Sequence, residues 1–358
     1  MLVQRTVFLE GEVVLRDDSV TITTPRAIYY PDQREVEAFD GVRLEDGRSL
    51  LTARNGRYQM DSGKAFFVTD VVVEDSTSTV KADSLTYLRP EARALCSGNV
   101  AVHSKTDDVT IFGGFLDHRA SGRFSRMTRM PVLIQTDTTD PGGADTLVVR
   151  SRVMESYSDS LRRFVATDSV RLVRSELAAV AETVTFFVDG DSMQLRGSPV
   201  LWYGETQVSG DSTDVYLENR RLRRMRVEGD AFTISRGDSA YPERFDQLTA
   251  DTLDLFFVDG KIMQVQADRR AISVYHIYEE DLANGLNKSS GDRIVMDFEE
   301  GSVSSITIIG GVEGEYIPEP LLVHNLQEYR VPGFRWREDR PTMEMIGIPW
   351  KKSEHAKR

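Results

Sequence analysis

A single cysteine, Cys96, stands in 358 residues, which excludes an intramolecular disulfide framework and any multi-cysteine metal site. It lies in Ala92-Arg93-Ala94-Leu95-Cys96-Ser97-Gly98, running into a turn, and reads as a structural residue, not a nucleophile. Long apolar runs are missing too: nothing approaches the roughly 18 consecutive apolar residues of a spanning helix. The N-terminal run Met1 to Phe8 enters strand-like sequence with no apolar leader, so any export signal is expected outside this sequence. Basic charge is in deficit, with 44 Lys and Arg against 57 Asp and Glu. The net charge of −13 argues against nucleic acid as a partner and against electrostatic docking on an anionic membrane. Helical periodicity is nearly absent. The best helix candidate, residues 277–287, allows two or three turns at most and is weakened by Gly285.

Catalytic and metal-binding patterns are also lacking. His103, His118, His276, His324 and His355 are scattered without metal-ligand spacing. There is no phosphate-cradling Gly-rich loop, no Gly-x-Ser-x-Gly and no His-Glu-x-x-His. The acidic pairs Asp17-Asp18 and Asp107-Asp108 fall where turns are expected, and turns favour Asp without any calcium. These absences predict a protein that is not an enzyme and that carries no cofactor or metal.

What is present is repetition. Phe186-Phe187-Val188-Asp189-Gly190 returns as Phe256-Phe257-Val258-Asp259-Gly260, and more loosely as Phe298-Glu299-Glu300-Gly301. Each copy stands between two β-rich runs. Strand, acidic-Gly turn, strand is a hairpin, because Asp-Gly tolerates the positive φ of tight hairpin turns. Hairpin turns expected at Asp32, Gly63, Glu91, Ser121, Asp159, Gly190, Arg220, Gly260 and Gly301 give a period near 30 residues, with insertions in three units.

A second anchor, a small or acidic pair usually leading into Val, recurs between these turns. It reads Gly11-Glu12-Val13, Asp40-Gly41-Val42, Thr69-Asp70-Val71, Gly98-Asn99-Val100, Asp168-Ser169-Val170, Gly197-Ser198-Pro199-Val200, Gly229-Asp230-Ala231 and Gly310-Gly311-Val312. The units turning at Ser121 and Gly260 show no clear copy. A third anchor, Ala followed by an acid, appears at Ala82-Asp83, Ala181-Glu182 and Ala250-Asp251.

A 30-residue hairpin cannot bury its apolar face alone, so neighbouring units must stack around a shared core. Residues at two-residue spacing point to one side of a strand. The expected interior is Val13 and Leu15, Val42 and Leu44, Val71 and Val73, Leu85 and Tyr87, Val100 and Val102, Val170 and Leu172, Phe186, Val200 and Trp202, and Leu253 and Leu255. The predicted architecture is an all-β, repetitive antiparallel β-jellyroll or open trough over residues 1–317, in two stacked halves, 1–150 and 151–317. From Pro318 the pattern stops, and Pro320, Pro332, Pro341 and Pro349 punctuate an extension over 318–358. It is expected to wrap on the repeat and to be partly disordered at its end. The densest basic run, Arg220 to Arg226, reads as a strand with a solvated face or as a contact for lipid phosphates or an acidic partner.

Gly98-Asn99-Val100-Ala101-Val102, preceded by Lys81-Ala82-Asp83-Ser84-Leu85-Thr86-Tyr87, resembles the repeat of the OstA-like (LptA-like) family, and weaker copies run from about Val7 to Tyr316. The resemblance implies a periplasmic lipopolysaccharide-transport protein of outer-membrane biogenesis, whose apolar trough shelters acyl chains. It also implies partners of the same family joined end to end by strand pairing, with self-association by the same route. The rival expectation is a structural β-solenoid scaffold that binds proteins and no lipid. A carbohydrate-active parallel β-helix is a third, but no register gathers a catalytic cluster for it.

Overall fold

The computed structural model describes residues 5–347, other than 18–19, 107, 138–144, 159–160, 176, 219–220, 237–240, 280–281 and 323–325. Among them the chain forms 26 strands and only four short helical turns, and every described pairing is antiparallel. The described residues form two compact units, one from the chain up to 166 together with 346–347, and one from 167–345.

Each unit consists of two rows of strands, and most chain segments contribute to both. In the first unit one row runs through segments 7–10, 26–30, 35–39, 55–59, 64–68, 84–88, 93–97, 115–119, 124–128 and 153–157. The other runs through 13–17, 20–24, 42–45, 50–53, 71–74, 78–82, 101–104, 109–112, 132–137 and 145–150. The second unit repeats the scheme. Its first row includes 183–187, 192–196, 212–218, 221–228, 252–258, 261–268, 293–299 and 302–309. Its second row includes 177–180, 200–203, 206–209, 231–236, 245–250, 271–279, 282–290 and 313–317.

The transfer from the first row to the second happens at the second sequence anchor, and the return happens at the third, Ala82-Asp83, Ala181-Glu182 and Ala250-Asp251. Asp40-Gly41, Thr69-Asp70, Gly98-Asn99, Asp168-Ser169, Gly197-Ser198, Gly229-Asp230 and Gly310-Gly311 are all consecutive pairs with positive φ. Two left-handed residues in succession break the pleat and redirect the strand, a bulge-like device that sheets use to turn corners. The two units without a legible anchor have the same corner, built from Arg129-Met130 and Arg269-Arg270. The acid of the third anchor packs under the next corner. A Cβ on Gly98 would stand 2.3 Å from Asp83 Oδ2, and Asn99 Nδ2 donates to that carboxylate at 2.9 Å. Glu182 lies likewise against Gly197, and Asp251 accepts from Arg269 and Arg270 at 3.1 and 2.7 Å.

The hairpin turns fall at the predicted markers at 31–34, 60–63, 89–92, 120–123, 188–191, 259–260 and 300–301; the markers Asp159 and Arg220 lie outside the described residues. In the helix candidate 277–287, residues 277–279 and 282–287 are instead parts of two strands, Lys261–Glu279 and Leu282–Glu299, with Tyr275 opposite Asn287 and Ile277 opposite Gly285. Gly285 explains the difference: its φ of +125° is closed to a helix, and a Cβ there would meet Ile317 O at 2.5 Å. The His324 and His355 positions, Asp18, Asp107, residues 141–143 and the chain from 348, including its basic end, lie outside the described residues.

Candidate functional site

The candidate site is the apolar interior between the two rows of a unit. In the first unit Val42, Val71 and Val100 each follow a corner pair directly and are buried, and Leu44 is buried two residues on. Val73 and Val102, the next inward positions, are half-buried. Cross-strand pairing places Val73 opposite Val80, Val80 opposite Val102 and Val102 opposite Ile111, an aliphatic stripe along the second row. On the first row Leu85 is buried beside Phe67 and Cys96, while Tyr87 is half-buried. Val13 packs with Ala27 and Val36, with Leu15 alongside.

In the first unit a cleft of about 10 Å³ is bordered by Ile22 and Val42 from one row and Val36, Ala38, Tyr58 and Phe67 from the other. That volume holds about one water molecule. An acyl chain therefore needs the rows to move apart at this cleft. Gly56 shows how close the packing is, since a Cβ there would meet the Phe67 ring at 2.8 Å.

In the second unit Leu253 and Leu255 are fully buried and pair with Val227 and Met225 on one side and with Ala267 and Val265 on the other. Phe186 is half-buried opposite Met193, and Val170 and Leu172 are buried. Val200 and Trp202 are also buried, but against a different surface. Pro199 inserts one residue after the corner pair Gly197-Ser198, so the inward positions become Leu201 and Tyr203. Tyr203 meets Phe257 of the first row edge-on at 5.3 Å, which fixes the direction. A slip of one residue turns every side chain of a strand to the opposite face.

The opposite face is covered by the C-terminal segment, of which residues 319–322 and 326–345 are described. Leu322, Val331, Phe334 and Trp336 pack on Phe232, Ile234, Phe245, Val274, Leu286 and Ile317. Two buried glutamines read the segment's backbone. Gln207 Nε2 donates to Arg335 O at 2.7 Å while its Oε1 accepts from Arg337 N at 2.8 Å, and Gln247 Oε1 accepts from Val331 N at 2.8 Å. Arg244 and Glu319 form a bidentate pair, Arg337 lies over Trp202, and Arg340 donates to Gly204 O at 2.8 Å. Alternating strand residues on both faces are thus apolar in this row, which the expectation of a single apolar side did not foresee.

Outward faces carry paired charge. Asp117 accepts two bonds from Arg93, at 2.8 and 2.9 Å, and a third from Arg119; Arg93 first, then Arg119, holds its carboxyl below the ordinary range. The basic run from 221 is similarly engaged: Arg224 and Arg226 both bind the buried Asp254. Burial pushes the Cys96 thiol up to about 12, as suits a structural residue. No group of three or more His, Cys, Asp or Glu able to hold a metal occurs among the described residues, and no helix among them is long and apolar enough to cross a membrane.

An antiparallel β-jellyroll folded at a repeated two-residue corner around an apolar interior is the class of protein these features define. Within it the chain resembles the OstA-like family: residues 4–106 match the family described as OstA-like protein. Among solved structures it is similar to LptH, the LptA-homologous periplasmic component of the lipopolysaccharide transport device from Pseudomonas aeruginosa. The identity is 14%, the match covers 40% of this chain and 95% of that one, and the TM-score is 0.31. No curated protein matches.

Proposed function

We propose that the protein is a non-enzymatic, periplasmic lipid carrier that shelters lipopolysaccharide acyl chains between its two rows of strands. The observation that carries this reading is an apolar interior bounded by two rows whose strands cross from one to the other along one side, within a segment matching the OstA-like family. Rows hinged on one side can part on the other without breaking strand pairing. Burial of each methylene is worth about 0.8 kcal/mol, so acyl chains lying between the parted rows can stand in for the side chains that separate. An acidic protein suits this mode, since apolar burial and not phosphate capture supplies most of the attraction.

The chain also joins partners of its own family end to end by strand pairing in this reading. Support comes from the terminal strands. Val7–Asp17 has one described partner, Val20–Tyr30, and exposes Phe8 and Val14; Ser302–Ile309 and Glu313–Ile317 expose Ile306, Ile309 and Tyr316.

Native mass spectrometry of protein from a lipopolysaccharide-producing host, with organic extraction of the same sample, tests the reading. Co-purifying lipid A species are expected. A lipid-free mass unchanged by added lipopolysaccharide would favour the second reading, a scaffold that binds proteins alone. The close packing around the Tyr58 cleft, where Gly56 lies against Phe67, is the observation on that side.

A further inference from the structure

In the first unit the two rows are tied to each other on the side away from the corners. Asp17 ends the strand Val7–Asp17 on the inward pleat, two residues beyond Leu15 and four beyond Val13, and so belongs to the second row. Its partners come from the first row. Tyr58 Oη donates to Asp17 Oδ2 at 2.5 Å, and Arg89 Nη1 lies 3.4 Å from the same oxygen. Tyr58 itself is buried and lines the apolar cleft, and Arg89 sits in the turn that follows Ser78–Leu88. A carboxylate, a phenol and a guanidinium from opposite rows therefore meet at the margin of an apolar interior.

The chemistry of this cluster is suited to an exchange. A guanidinium and a phenol that hold a carboxylate can hold a phosphate oxygen in the same geometry, and phosphate offers more acceptors and more charge. The cleft that Tyr58 lines holds about one water molecule, so entry of an acyl chain there requires the margin to open, and opening breaks these contacts.

Resting on the lipid-carrier reading, we infer that Asp17, Tyr58 and Arg89 form the gate of the first unit. An entering phosphorylated amphiphile replaces the Asp17 carboxylate with its own phosphate at Arg89 and Tyr58 while its acyl chains pass between the rows. The cluster is then both latch and head-group site. No covalent step is involved; one ion pair is exchanged for another.

The test uses the full-length chain and lipid A with and without its phosphates. Arg89→Ala is expected to weaken binding of phosphorylated lipid A about tenfold and to leave the dephosphorylated form within about twofold, the size of one charge-assisted contact. Asp17→Asn removes the competing anion and should strengthen binding of the phosphorylated form several-fold. In Asp17→Cys/Tyr58→Cys a short bismaleimide should bridge the margin and abolish uptake of both lipids, while the unbridged double variant still binds the dephosphorylated form. The buried Cys96, its thiol held protonated, stays out of that reaction.

Uptake by the bridged protein equal to that of the unbridged one would overturn the gate, as would an Arg89→Ala effect equal on both lipids. Failure of the unaltered protein to take either lipid would overturn the carrier reading together with the gate, so the two failures are distinct.

Discussion

At the scale of single residues, the corners carry the largest consequences. Gly98 has φ +75° and no room for a Cβ against Asp83, whereas Gly301 has φ +86° and open space around it. Both substitutions to Ala meet left-handed strain, but only Gly98→Ala also displaces the carboxylate under the corner. Gly98→Ala should cost about 2–4 kcal/mol and Gly301→Ala about 1 kcal/mol in urea unfolding. Asp117 gives a pH signature. Its folded carboxyl is held below the ordinary value by Arg93, so its contribution is fully present above the unfolded pKa, about 3.9, and is lost as pH falls through the lower folded value. Asp117→Asn should lower stability at pH 7 and flatten the acid limb of the stability profile below about pH 4. An unchanged profile would show that the Arg93 pair does not differ between folded and unfolded chain.

At the scale of elements, the repeat was readable where its residues advertise their conformation. Gly-Asn, Asp-Gly and Gly-Gly corners announce left-handed backbone, so the period and most of the interior could be laid out in advance. Arg129-Met130 and Arg269-Arg270 adopt the same corner without any such chemistry. There the surrounding pairing, and in the second case the Asp251 carboxylate, overrides local preference. Pro199 was a visible signal of another kind: an extra residue after a corner shifts the register, and counting from the corner identifies Leu201 and Tyr203 as inward. The Asp17, Tyr58 and Arg89 cluster had no local signal, because its members are brought together from three separate strands and turns. The covering segment was legible as a Pro-rich departure from the repeat that wraps on it, but not the face it covers. The role of Gln207 and Gln247 in holding it depends on partners some 84 to 130 residues distant. Removing the Gln207 side chain strands two backbone groups of residues 335 and 337. Gln207→Ala should therefore cost about 2–3 kcal/mol. It should also open the chain between 319 and 345 to limited proteolysis before the strands are cut. Simultaneous cleavage of both would show that the segment has no separate anchorage there.

At the scale of the whole molecule, the two units use the same corner-folded scheme with different surroundings. In the second unit the row containing Phe232, Ile234 and Phe245 is packed on both faces, one of them by the C-terminal segment. In the first unit the corresponding outward positions at Arg43, Lys81 and His103 are exposed, whereas further along the same row Val132, Leu133, Ile134, Val148 and Val149 are buried on both faces. A row packed on one face moves at lower cost than a row packed on two, because less apolar surface is disturbed. Acyl chains should accordingly enter the first unit between residues 42 and 104 more readily than the second unit. The central claim, that the interior of the repeat carries lipid, is tested most directly by a photo-reactive amino acid placed along one strand in cells that export lipopolysaccharide. At Val100 and Val102 the probe faces inward; at Ala101 and His103 it faces outward. The account predicts lipopolysaccharide adducts at 100 and 102 and none at 101 and 103, a period of two that only an interior path produces. Adducts at all four positions, or at none in folded protein, would contradict it.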